Sequence, residues 1–148
     1  MARYRLFQQE KKDWCFPACL QSILLNYNIF LPQYQIAEKV IFNRGIGADI
    51  NKVKKFLKEL NFKFEFYYHN ETPWNEPESL LSENNNKIIA IPFNYVIKHV
   101  FLVEDFKDPI VFLLDPENPL ETKQKNLSKI LKQMHEFHSG GFGIISKL

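Results

Sequence analysis

The spacing of apolar residues changes twice along the chain. Between Cys15 and Tyr27, the residues Ala18, Cys19, Leu20, Ile23, Leu24 and Tyr27 recur at three and four, the repeat of a helix with one buried face. Asp13 lies where an N-cap belongs, and Pro17 is tolerated because a first-turn residue has no intrahelical acceptor for its N–H. A second short helix is expected over 32–40. A third starts near Asp49 and carries Ile50, Val53, Phe56, Leu57 and Leu60 on one face. The repeat then drops to two. Phe62, Phe64, Phe66 and Tyr68 alternate with Lys63, Glu65 and Tyr67, which predicts a half-buried strand. Strands are also predicted over 87–93, 99–106 and 110–114, the last two joined across Lys107-Asp108-Pro109. Helical spacing returns over 126–137, and 142–146 supplies a final strand. Helices followed by an antiparallel sheet make an α+β domain.

No repeat, low-complexity tract or linker divides the 148 residues, so residues 1–148 are expected to form a single domain. The polar stretch 69–77 and the triplet Asn84-Asn85-Asn86 read as surface loops. A hydrophobic content of 45% excludes disorder, and two cysteines are too few for a disulfide scaffold. The net charge of +2 gives no reason to expect a nucleic-acid partner. Lys52, Lys54, Lys55 and Lys58 on the third helix read as a solvated face. No apolar run approaches the ~20 residues of a membrane span, and the first residues lack the apolar stretch of a signal peptide. A soluble, cytoplasmic protein with no membrane segment is expected.

The segment around Cys15 holds the most chemistry. A cysteine in the first turn of a helix meets amide N–H groups that have no intrahelical partner, and these favour a thiolate and lower its pKa. The bland alternative is a small buried apolar residue, a reading that applies with more force to Cys19 one turn on. A metal site on the two cysteines lacks two further ligands, and no metal or cofactor is expected. A thiolate catalyst needs an imidazole that acts as base and then acid, and a third group to orient it. His69, in a polar loop, and His135 and His138, at the end of an amphipathic helix, read as solvent-exposed. His99 opens the apolar strand Val100-Phe101-Leu102-Val103, which holds it at a strand edge.

A three-residue loop between Phe106 and Ile110 sets His99 opposite Glu117, with Asp115 diagonal to it on the same face. A bulge would bring Asp115 nearer. Either carboxylate is placed to hold the imidazole, and Pro116 fixes Asp115 at its strand tip. For the oxyanion of acyl transfer, the Cys15 N–H is one donor and Gln9, six residues upstream, the second, with Gln8 its rival.

Gln9 through Leu20 resembles the first motif of the papain-like bacteriocin-processing cysteine peptidases, which remove double-glycine leader peptides, and of their stand-alone relatives. That motif is a glutamine, five residues, then cysteine, glycine, any residue, Ala, Cys or Ser, and Leu. His99 with its apolar strand and Asp115-Pro116 one hairpin later resemble the second motif. Gly45-Ile46-Gly47-Ala48-Asp49 and Gly140-Gly141-Phe142-Gly143-Ile144 are similar to the family's middle and closing segments. The resemblance implies a papain-like fold of N-terminal helices packed on an antiparallel sheet, and a peptide or protein substrate, including leader peptides. It also implies Cys15 as nucleophile, His99 as base and acid, Asp115 as orienter and Gln9 as oxyanion donor. Phe16 stands where the family has glycine, a change expected to narrow the cleft beside the thiol. The 148 residues end with this domain, so no transporter is expected in the chain. The same triad also serves acyl transfer or glutamine deamidation, and the fold alone serves a catalytically inactive peptide-binding module.

Overall fold

The computed structural model describes residues 4–41, 48–69, 77–82, 86–93 and 97–148, and only the backbone of residues 77, 91–93, 97 and 98. The three helices expected in the N-terminal part are present as α1 (Cys15–Leu25), α2 (Gln33–Val40) and α3 (Ile50–Glu59). Asp49 caps α3 as expected, its carboxylate accepting from the N–H of Asn51 at 2.9 Å and of Lys52 at 3.4 Å. Asp13 does not cap α1. The chain turns first, with the Trp14 N–H donating to Lys11 O at 3.1 Å, so Trp14 becomes the N-cap and no side chain caps it among the described residues. Tyr27 lies in the turn after α1, where Asn28 takes a positive φ of 60°.

The sheet comprises β1 (Phe62–Tyr68), β2 (Asn86–Phe93), β3 (Ile97–Lys107), β4 (Ile110–Asp115), β5 (Asn118–Asn126) and β6 (Gly141–Lys147). Their order is β1-β6-β2-β3-β4-β5, and every neighbouring pair is antiparallel. Two further helices complete the described residues: α4 (Pro77–Ser82) and α5 (Leu127–Phe137), the latter capped by Asn126. Neither α4 nor β5 is apparent in the apolar pattern. β5 is an edge strand whose sequence NPLETKQKN is almost wholly polar, which suits an edge and erases the alternation.

The pleat separates two cores. Ile88, Ala90, Val100, Leu102, Leu114 and Ile145 face α1, α2 and α3, while Ile89, Phe101, Val103, Leu113 and Phe142 face Leu81 of α4 and Ile130 and Met134 of α5. The helices expected to cover the sheet therefore cover one face, and α5 covers the other.

Residues 70–76, and Asn84 and Asn85 of the triplet, lie outside the described residues, as do Gly45, Ile46 and Gly47. Asn86 is no loop residue. It begins β2, buried, with its Oδ1 accepting from the Tyr4 hydroxyl at 2.5 Å and its amide donating to the Tyr27 hydroxyl at 2.9 Å. The closing glycines have steric reasons. Gly140 takes φ +102°, and a Cβ on Gly141 would collide with the Tyr67 carbonyl oxygen.

Candidate active site

Cys15 starts α1, and α1 packs on β3 at Val100, the residue after His99. The N–H groups of Val100, Phe16 and Cys15 itself all act on the Cys15 sulfur. Burial is the stronger influence and pushes the thiol above its ordinary pKa; those N–H groups pull it down, and the Glu117 carboxylate adds to the rise. The helix-start argument names two of these donors, Phe16 and Cys15, but not Val100 of β3, and its expected lowering of the thiol pKa is overturned because desolvation outweighs all three. Cys19, one turn on, is wholly buried; its thiol lies 4.0 Å from Val100 O, and burial raises its pKa well above the ordinary value.

His99 lies on the same pleat face as Phe101, whose ring it meets edge-on at 4.8 Å. Its Nε2 lies 2.5 Å from Asp115 Oδ1. The register that allows this contact is the expected one, reached differently. The hairpin closes on two residues, with Lys107 opposite Ile110, and a bulge between Val103 and Asp105 then restores the pairing Leu102↔Leu114. Asp115 is diagonal to His99 in that register.

A second irregularity, at the end of β4, pairs Asp115 with Asn118 and folds Pro116-Glu117 into a tight turn. The Glu117 N–H donates to Asp115 Oδ1 at 2.9 Å, and Lys123 of β5 donates to Oδ2 at 2.8 Å. Burial pushes the Asp115 carboxyl up, but the bonds from Lys123, His99 and the Glu117 N–H together outweigh it and hold it below the usual carboxylate range. Cys15, His99 and Asp115 are all buried, keeping 8%, 7% and 4% of their surfaces.

Gln9 precedes α1 on an extended segment. Its backbone N–H donates to Pro116 O at 2.9 Å, tying the approach to Cys15 to the turn that holds Asp115. Its side-chain amide donates to Lys11 O at 3.1 Å and Lys12 O at 2.8 Å, while its buried Oε1 meets no partner among the described residues. Gln8 is exposed, its carbonyl accepting from Gln33. Buried Gln33 of α2 clamps both neighbours of Gln9: it donates to Gln8 O at 2.8 Å and accepts from the Glu10 N–H at 2.9 Å.

Sequence reasoning missed Gln33 and Lys123. Gln33 acts through polar contacts distant in sequence and Lys123 from an almost wholly polar edge strand, and neither leaves a periodic signal. Phe16 is buried, with its ring edge-on to Phe64 at 5.9 Å. His135 and His138 are exposed as expected, and His69 is half-buried at the end of β1.

The ligand atoms of His99, Asp115 and Glu117 lie within 4.8 Å of one another, the one such group among the described residues. Both Asp115 oxygens are engaged, one by an ammonium, so the cluster already contains the cation that a metal would supply. His99 is thus paired with a buried carboxylate, and the Cys15 sulfur meets the backbone N–H of Val100, the next residue of β3.

The family model described as the peptidase C39 family matches residues 3–136. The chain belongs to that family. This C39 peptidase is a papain-like cysteine peptidase. It is similar in structure to the peptidase domain of Streptococcus ComA, a bi-functional ABC transporter involved in a quorum sensing pathway. The TM-score is 0.73 at 14% identity, covering 99% of this chain and 100% of that one. A double glycine motif protease from an AMS/PCAT transporter, solved in complex with the leader peptide, gives 0.71 at 18%, covering 99% and 94%. A C39-like peptidase from Bacillus anthracis gives 0.67 at 11%, covering 98% and 96%. At these identities the likeness shows the C39 fold, helices packed on an antiparallel sheet. Among curated proteins no sequence matches. No helix of the described residues is long and apolar enough to cross a membrane.

Proposed function

We propose that Cys15, His99 and Asp115 hydrolyse a peptide bond in a leader-type peptide. The pairing of His99 Nε2 with Asp115 carries the reading, because it fixes the ring and assigns proton exchange with sulfur to Nδ1. His99 Nδ1 takes the Cys15 proton as sulfur attacks the scissile carbonyl carbon. The resulting oxyanion is met by the first-turn N–H of Cys15, and by Gln9 once its amide turns from the Lys11 and Lys12 carbonyls. The imidazolium then gives its proton to the departing amine, and the C–N bond breaks to leave a thioester. Water attacks the thioester with His99 as base, releasing the acid and restoring the thiol.

Asp115 stays ionised and holds the ring. A raised thiol pKa suits a nucleophile that is protonated at rest and surrenders its proton to His99 in the productive complex. The leader-peptide assignment is supported by the relative solved with such a peptide. Two free thiols suit a reducing compartment such as the cytoplasm.

The test is intact mass after incubation with a thiol electrophile and with double-glycine leader peptides. One adduct on Cys15, lost or strongly slowed in His99→Ala, and backbone cleavage abolished in Cys15→Ala are expected. Equal labelling of Cys15 in both proteins overturns the activated pair. A mass gain from amide-to-acid conversion, or an acyl adduct without cleavage, overturns hydrolysis.

A further inference from the structure

We propose that Lys123 is a positioning residue of this site, its ammonium setting how strongly Asp115 stabilises the protonated form of His99. The proposal rests on the triad reading and deepens it. Lys123 Nζ lies 2.8 Å from Asp115 Oδ2 while His99 Nε2 lies 2.5 Å from Oδ1, so one carboxylate sits between two cation-forming groups. The ammonium also lies 5.7 Å over the Phe101 ring, the ring that meets His99 edge-on. Its side chain is 40% exposed while that of Asp115 is 5% exposed, so the cation reaches a buried oxygen from the solvent side.

A carboxylate facing one imidazolium favours the charged ring fully. One already bonded to an ammonium does so less, because the second cation repels the first. Lys123 thus keeps Asp115 ionised and oriented while drawing His99 toward the neutral form that can accept the thiol proton. The other titratable groups of the described residues that act on this cluster are Glu117 from the turn after β4, whose carboxylate lies beside both His99 and Asp115, Lys125 from β5 and Cys19 from α1, which feel the Asp115 charge, and Cys15 from α1, which feels that of Glu117. Lys125 lies 5.4 Å over Phe101, and unlike Lys123 it makes no hydrogen bond to Asp115.

The His99 imidazole is followed by nitrogen NMR across pH in the unmodified protein and in Lys123→Met, Lys123→Gln and Lys123→Arg, with its signals assigned by a His99→Gln variant. In the Met and Gln variants His99 is expected to titrate about 0.5 to 1 pH unit higher, below the ~1–3 units of a directly contacting charge, and Arg restores the original value. A ring that titrates unchanged in folded Met and Gln variants overturns the proposal, because a purely structural tether would leave the midpoint in place. Cleavage by the unmodified protein is read separately. If His99 moves in the variants but the unmodified protein cleaves no peptide, the Lys123 coupling stands and the triad reading falls. If the protein cleaves through Cys15 but His99 does not move, Lys123 alone falls.

Discussion

Desolvation and hydrogen bonding act on the Cys15 sulfur in opposite directions, and Glu117 tips the balance further against the thiolate. Glu117 is exposed, so its charge is the one influence that can be removed without disturbing packing. Glu117→Gln is expected to lower the Cys15 thiol pKa, since a nearby like charge disfavours the thiolate. The curve of iodoacetamide reaction rate against pH should move to lower pH, by less than about one unit because solvent screens an exposed charge. A superimposable curve would show that the carboxylate is fully screened. At this scale the residues of the proposed mechanism are those with a local signature in the sequence. Cys15 declares itself by a helix start, His99 by a strand start, and Asp115 by a proline after it. Lys123 sits on a polar edge strand where alternation is absent, and Gln33 acts across 23 residues on the backbone of Glu10. Neither leaves a mark that spacing can detect.

Among the elements, the hairpin β3–β4 shows how a correct register can arise from two compensating departures. The expected three-residue loop is a two-residue one, and the bulge before Asp105 offsets the difference, so His99 and Asp115 still meet. Polar position alone does not announce such a bulge, because Glu104 reads like any solvent-facing strand residue. The first helix carries the second lesson. Phe16 departs from the family's glycine, and its ring packs in the core against Phe64. Phe16→Gly should therefore destabilise the fold without altering specificity. Loss of a buried ring costs about 3–5 kcal/mol, and glycine in a helix adds about 1 kcal/mol. Urea midpoints should fall accordingly, while kcat/KM at low temperature, where the variant stays folded, should remain within about twofold. A large change in kcat/KM with an unchanged midpoint would return Phe16 to the cleft.

For the molecule as a whole, α1 meets the sheet at β3 and α3 meets it at β1, and the N-terminal segment adds a further tie, where Gln9 donates to Pro116 O. Asp115 stands at that junction. Its carboxyl, bonded to His99, Lys123 and the Glu117 N–H, is ionised more readily in the folded chain than in the unfolded one, so its linkage to stability has a definite sign. The stabilisation is fully present above the unfolded aspartate value of about 3.9 and is lost as pH falls through the lower folded value. Asp115→Asn removes that titration while keeping the shape of the side chain. The stability of the unmodified protein relative to the variant, from urea unfolding at a series of pH values, should be greatest near neutrality. It should shrink below about pH 4, where the protonated carboxyl and the amide become alike in charge. A difference that stays constant from pH 6 to pH 3 would mean that the bonds to Asp115 do not distinguish its ionised form, and that the junction is held by packing alone.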